Sequence, residues 1–516
     1  MRVSLLLLGL ALAPASLVAQ ALPLTLPKGK VRFDFSGRFE SFDRRFNDGA
    51  KEEWAGDFDG PLDRATIAGL NETETILRRI TGLSDASLNL GRSSALQLIN
   101  LGTLGFGGAV GVTNWLTIFG SVPFVRVKAR TRVSLDTAGA NAGFNGTDPV
   151  FGQAAAVAQW NLFAADLTGQ IGELEDSLAA GFYDADPNRK ALAQQTLTQA
   201  QSLLADLQAL YGPSPATFLP RSGTSIANAM LQVIQTLQTR FTSLDLPSFS
   251  GAPPLPSGNF TDANYAAYLT DPEGPIAAKA FDDVPALSYV GDIEIGAVVR
   301  LLDHFPASSY GKGMRSALET TVRLRTARLD TPDRFLDIGT GDRQPDVEVN
   351  LVTDLGAGRF GTRVRVGYNL QLAGNQNRRI APPGMLAPAN TLAGLRRNPG
   401  DVIQAAVQPY FRIAPYLAVG ASLDYWRRGA DVWDYAAGQP PLEGLDPNLL
   451  GEGSKADAAR FGLSLIYTHS GVDRHGHQRL PLDARVRWQR VASSATGRVA
   501  DSHVLTVDLR FYGNLF

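Results

Sequence analysis

The chain has no cysteine, and only five histidines and four methionines among its 516 residues. Thiolate metal sites, iron–sulfur clusters, cysteine nucleophiles and disulfide frameworks are therefore excluded together. Charge is scarce as well: Asp, Glu, Lys and Arg make up 19% of the residues, against roughly 25% in an average soluble domain. The net charge is −2 and the pI about 6.3, so no overall positive field attracts a phosphate backbone, and nucleic acid is not an expected partner. Beyond the first residues no apolar run reaches the roughly 18 residues that a membrane helix needs. Glycine, by contrast, is abundant. Fifty-two glycines beside 44% hydrophobic residues are too apolar for disorder and too glycine-rich for a helical enzyme, and they suit many short strands joined by turns.

The N-terminus sets the compartment. Arg2 supplies a positive start, Leu5 to Leu12 an apolar core and Ala19-Gln20-Ala21 a small-x-small cleavage site, so residues 1–21 are expected to be a signal peptide. The mature chain, 22–516, would begin near Leu22. The apolar core is too short to cross roughly 30 Å of hydrocarbon as a helix. A protein that leaves the cytoplasm in this way is periplasmic, secreted or an outer-membrane barrel.

Period-two segments about ten residues long favour the barrel. In Phe360 to Leu372, Phe360, Val364, Val366, Tyr368, Leu370 and Leu372 share one face, while Arg363, Arg365, Asn369 and Gln371 share the other. Gly291 to Leu301, Ala317 to Thr326, Leu482 to Val491 and Leu505 to Phe511 divide in the same way. Twelve strands are expected, centred near residues 36, 102, 122, 296, 320, 350, 366, 407, 421, 463, 486 and 509, with ten or fourteen as the nearest alternatives. Long connections (43–94, 135–285, 328–345, 374–401, 428–456) take turns with short ones (113–114, 304–311, 354–359, 414–415). The expected fold class is an all-β, up-and-down antiparallel transmembrane β-barrel in the outer membrane, with short turns at the periplasmic end and both termini there. Phe411, Tyr416, Tyr425, Trp426, Phe511 and Tyr512 lie near strand ends, as interfacial girdles require. Phe516 is the terminal aromatic expected by the outer-membrane insertion machinery. Its parity differs from that of Leu505 to Leu515, so an irregularity at Gly513-Asn514 would be needed to reset the register.

The longest connection, about 140–285, is expected to hold helices. Asn188 to Tyr211 and Ser225 to Leu244 repeat apolar residues every three or four positions, and Gln153 to Leu178 is a third candidate. Such helices would form a self-packed cap above the barrel, a constriction within its lumen, or a coiled-coil partner site.

Gly111-Val112-Thr113-Asn114-Trp115 through Val122-Pro123-Phe124 resembles the turn and strand of the phenol-degradation (MetA-pathway) outer-membrane proteins, a channel family similar in kind to the long-chain fatty-acid transporters. Gly291-Asp292-Ile293-Glu294-Ile295-Gly296-Ala297 resembles that family's next strand opening. The resemblance covers about half of the mature chain and departs from it in the helical insertion. It implies a barrel that passes hydrophobic or aromatic compounds, with no catalytic residues to carry over.

On the period-two assignment the solute path is lined by Arg300, Arg323, Arg325, Glu348, Arg363, Arg365, Arg412, Asp424, Arg485, Arg487, Asp508 and Arg510. Asp292, Glu294 and Glu319 share the inward parity. Register would set Arg323 and Arg325 beside Glu348, Glu348 opposite Arg363 and Arg365, and Asp508 opposite Arg485 and Arg487. Such a lining is either a paired polar ladder or a mildly cationic corridor for anions and carboxylates. The expected partners are outer-membrane lipid and a small-molecule solute, and no cofactor is expected. Two other classes stay open: a non-conducting structural barrel and an outer-membrane hydrolase. The second would draw on Asp501, Ser502 and His503, or on a metal at His469, His475 and His477; but residues adjacent on a strand point to opposite sides, which argues against a triad.

Overall fold

The computed structural model describes residues 24–279, 284–304, 312–334, 337–382, 384–414, 416–469 and 482–515, with the side chains of 284–288 and 469 left aside. The expected signal peptide, His475, His477 and Phe516 lie outside the described residues.

Twelve strands close into one antiparallel ring. In chain order they are β1 (Lys30–Phe42), β2 (Arg92–Gly111), β3 (Leu116–Asp136), β4 (Glu294–Asp303), β5 (Gly313–Arg323), β6 (Asp346–Ala357), β7 (Phe360–Gln371), β8 (Val402–Ala414), β9 (Leu417–Arg428), β10 (Ala456–His469), β11 (Leu482–Ser493) and β12 (His503–Asn514). Each pairs with its chain neighbour, and β12 returns to β1 from Lys30↔Asn514 to Ser41↔His503. Closure leaves the ring no free sheet edge, which lets its backbone make hydrogen bonds from strand to strand rather than to water. Twelve strands tilted by about 40° at about 4.8 Å spacing make a backbone cylinder about 24 Å wide. The β1–β12 register runs without a shift to Asn514, so the irregularity expected at Gly513-Asn514 is not there.

Alternation sorts the side chains as a membrane demands. Phe33 is 56% exposed on the outer surface while Asp34 beside it is 7% exposed inside; Leu423 and Ser422 divide in the same way. Ile403, Val366, Leu463, Leu509 and Ile295 continue the apolar outer belt around the ring. An aqueous surface would not tolerate so continuous a belt, and a closed sheet with a greasy outside and a charged inside is a transmembrane barrel. Trp115, Phe360 and Tyr416 are exposed at the short-turn end, and Tyr368 and Tyr425 at the other, forming two aromatic girdles. Trp426 and Tyr512 depart from expectation, because both have inward parity: Trp426 is buried with Phe46 and Val499, and the Tyr512 hydroxyl donates to Asp483 at 2.7 Å.

β2 and β3, of 20 and 21 residues, rise well past the rim set by the other strands. The inner face of their upper halves, including Ala95, Ile99, Leu101, Val127 and Ala129, belongs to the largest apolar core of the molecule. The rest of that core comes from α1 (Leu70–Thr81), α2 (Ala154–Ala179), α3 (Pro187–Tyr211), α4 (Ser225–Ser243) and α5 (Asp262–Thr270). α3 begins where Asp186 accepts from the amides of Asn188 and Arg189 and Pro187 occupies the first turn. The three helices expected in the insertion are present, and α1 and α5 join them. Together they form a self-packed cap against the raised hairpin.

Candidate functional site

The inward faces of the strands enclose a chamber of about 240 Å³. No residue of α1–α5 lines it, so the helical layer caps the barrel and does not fill its bore. Two other segments narrow the space. Gly339 to Asp342, from the β5–β6 connection, folds inward on the long-loop side, held where the Thr340 hydroxyl donates to the Val290 carbonyl at 3.1 Å. At the short-turn end Leu24 is buried against Val298, Ala317 and Val352, and the amide of Leu26 donates to the Thr117 hydroxyl at 2.7 Å. Leu24 therefore lies inside the bore, with Leu26 anchored beside it.

The lumen charges form two populations. Those on β4–β7 are tightly paired. Arg323, buried, donates to Glu294 at 2.9 Å, Asp346 at 2.9 Å and Glu348 at 2.7 Å, so one guanidinium satisfies three carboxylates. Glu348 also accepts from Asn350 at 2.6 Å and Gln404 at 2.7 Å. Asp354 bridges Arg315 at 2.8 Å and Arg363 at 2.6 Å, and Arg365 reaches Glu319 at 3.2 Å. On β8 and β9, Arg412 donates to the Gly358 carbonyl and the Tyr410 hydroxyl, and Asp424 accepts from Gln489 at 2.9 Å. Arg300 lies near the short-turn end, 3.5 Å from Asp303.

On β10–β12 the pairing is sparse. Arg485 donates to Gln408 at 3.2 Å, and Arg510 lies 3.4 Å from Asp34. Arg485 and Asp508 are register partners, yet their side chains make no ion pair within 4.0 Å among the described residues. Arg460 and Arg487 make neither a hydrogen bond nor an ion pair with a described residue, and the Nε of each is buried without a partner. A second cavity of about 50 Å³ runs beneath these strands, where Arg363, Arg365, Arg460, Arg485 and Arg487 face a single acid, Asp424. The larger chamber is balanced differently: Arg32, Arg38, Arg323, Arg460 and Arg487 meet Asp34, Glu40, Asp292, Glu294, Glu319 and Asp342. The bore thus has an acid-bearing wall at β4–β5 and an arginine wall at β10–β11.

Of the residues expected along the path, eleven sit on barrel strands with their side chains inward. Arg325 is the exception. β5 ends at Arg323, so Arg325 is exposed beyond the strand and donates to the Ala373 carbonyl at 3.0 Å. Arg363 and Arg365 pair with Asp354 and Glu319 rather than Glu348. Sequence reasoning missed Arg32, Asp34, Arg38 and Glu40, although Phe33, Phe35 and Phe39 alternate with them on β1. Arg460 was missed because it is the one charged residue on the inner parity of β10. For Leu24, which precedes any periodic segment, no signal existed.

The hydrolytic elements do not converge. Asp501 pairs with Lys51 at 2.6 Å and lies 3.8 Å from Arg490, Ser502 is buried, and His503 is exposed on the outer surface with its ring 6.0 Å from Trp488.

No protein-family model matches the chain, and no curated protein matches it. Among solved structures, an outer-membrane channel from Pseudomonas putida F1 aligns at 8% identity and a TM-score of 0.42, over 97% of this chain and 100% of that one. A Pseudomonas aeruginosa FadL homologue aligns at 10% identity and a TM-score of 0.30, over 94% and 91%. A mutant of TodX, a monoaromatic hydrocarbon channel, aligns at 10% identity and a TM-score of 0.29, over 95% and 91%.

Proposed function

We propose that the chain is an outer-membrane channel through which small solutes diffuse, and that its arginine wall favours solutes carrying a carboxylate or similar anion on an apolar or aromatic body. The observation that carries this reading is the pair Arg460 and Arg487, whose guanidinium groups border open lumen without a protein partner among the described residues. A buried guanidinium with no carboxylate in direct contact is costly when it serves structure alone, whereas one that meets a passing anion has its charge and its hydrogen bonds satisfied in use. The chamber also presents Leu24, Leu101, Phe119, Val125 and Val298, which suit an apolar portion of the same solute.

Selective permeation needs no chemical step. The arginine wall sets charge preference, the acid-bearing wall opposite orients a solute across the bore, and the Leu24–Leu26 stretch sets the bore's width at the periplasmic end. The resemblance noted in the sequence points the same way, to hydrophobic or aromatic cargo. Planar bilayers test the reading: the full chain is expected to give steady conductance, and removal of residues 24–27 to raise it. Silence in both forms would leave a non-conducting structural barrel as the better account.

A further inference from the structure

Above the lipid-facing belt, the outer face of β3 carries a ladder of cations. Arg126, Lys128, Arg130 and Arg132 occupy alternate positions, all four are exposed, and none makes a hydrogen bond or ion pair with a described residue. Their cross-strand partners on β2 are Gly102, Asn100, Leu98 and Leu96, so no acid on that strand lies opposite any of them. Immediately below, Leu104, Phe106 and Phe124 are exposed in the lipid belt. The ladder therefore begins where hydrocarbon gives way to headgroups and climbs for about 20 Å, at roughly 3.3 Å per residue.

Two features set these side chains apart from ordinary surface charge. Like charges about 7 Å apart on one strand repel, and no described residue forms an ion pair that offsets the repulsion. The strand that bears them is held firmly, because its inner face, including Val127 and Ala129, is packed into the core under the helical cap. Leu96 and Leu98, 49% and 38% exposed, stand beside Arg132 and Arg130, giving the surface an apolar component among its cations.

We propose that this face binds phosphorylated lipid headgroups of the leaflet that surrounds the long-loop end of the barrel. Guanidinium groups grip phosphate with two parallel hydrogen bonds, and the firmly held strand fixes the backbone positions from which several reach out, beginning at headgroup height. Continuity with the lipid belt is what favours a membrane lipid over a soluble anion. The inference needs the membrane-spanning barrel and is independent of whether the bore conducts.

The test uses the full chain in nanodiscs of phosphatidylcholine containing bisphosphorylated lipid A, with bound lipid counted by native mass spectrometry after gentle detergent exchange. Removing a cation near a charged membrane surface weakens attraction roughly fivefold, so R126Q/K128Q/R130Q/R132Q is expected to lose lipid A by several hundredfold and R130Q/R132Q by roughly twenty-five-fold. Dephosphorylated lipid A is expected to bind wild type as weakly as the quadruple variant binds the phosphorylated form. Heat-modifiable gel migration checks that both variants fold. R126K/R130K/R132K keeps the charges but loses the two-point grip, and is expected to retain more lipid A than the quadruple glutamine variant and less than wild type. Equal retention by wild type and a folded quadruple variant would overturn the proposal. So would displacement of lipid A by inorganic phosphate at matched phosphate concentration, which would assign the face to soluble anions instead.

Discussion

Removing the two unpaired lumen guanidiniums should abolish most of the anion preference without closing the bore. An anion passing about 5 Å from one guanidinium in water gains about 0.8 kcal/mol, a factor of about four in occupancy. Arg460 and Arg487 both border the larger chamber and the smaller cavity, so a solute meets them together. Their combined effect is about 1.6 kcal/mol, a factor of about fifteen. Reversal potentials across a salt gradient measure it for wild type, R487Q and R460Q/R487Q. The dilute side should be kept near 0.1 M, where screening extends over about 10 Å; at 1 M the length falls to about 3 Å and the difference should fade. Glutamine keeps most of the side-chain volume, so single-channel conductance should change far less than selectivity. An unchanged anion-to-cation ratio in a conducting double variant at low salt would refute the reasoning.

Other consequences follow from the same geometry. Replacing Arg323 with Gln leaves Glu294, Asp346 and Glu348 without their shared cation, and loss of a buried partner of this kind costs about 3–5 kcal/mol, to be read as a lower urea midpoint for unfolding in detergent or lipid. The mirror-image change D354N, which deprives both Arg315 and Arg363, should destabilise by a similar amount in the same assay. In the loops at the long-loop end, burial works against ionisation of Asp57, but the guanidinium groups of Arg45 and Arg498 outweigh it and hold its carboxyl below the usual carboxylate range. A lowered folded value means that the clamp's stability is fully present above the ordinary carboxylate pKa and is lost only as the pH falls through the lowered one. The protection of amides 44–58, taken relative to the intrinsic exchange rate at each pH, should therefore hold at pH about 5 and fall once the pH drops well below the usual carboxylate range, whereas D57N should be weakly protected throughout.

What the sequence makes legible depends on how many residues repeat a rule. The strands of β7, with Phe360, Val364 and Val366 against Arg363 and Arg365, carry their sidedness in every residue, and the ring's order followed from loop lengths that alternate along the whole chain. The helices of the insertion were equally periodic. Single-residue facts were harder. The end of β5 at Arg323, and hence the exposed place of Arg325, depends on where the chain turns inward toward Gly339 to Asp342, a tertiary event with no local period. Which acid each arginine chooses was also hidden: strand register placed Glu348 between β5 and β7, but Asp354 lies directly opposite Arg363 and Arg315 and takes both. The unpaired state of Arg460 and Arg487 is a property of the whole bore, visible only when all the inward faces are assembled.

The absence of native cysteine makes the sidedness of the wall directly measurable. Single cysteines placed at Val366, Leu423 and Leu463, and at Arg365, Asp424 and Ser464, can carry a spin label in the full chain reconstituted in lipid. Oxygen, which dissolves in the hydrocarbon, should relax the first three preferentially, and a water-soluble nickel chelate the second three. Labels at Val366, Leu423 and Leu463 that respond to nickel and not to oxygen would mean that these side chains do not face lipid, and both the membrane-spanning wall and the lumen it encloses would be lost with them.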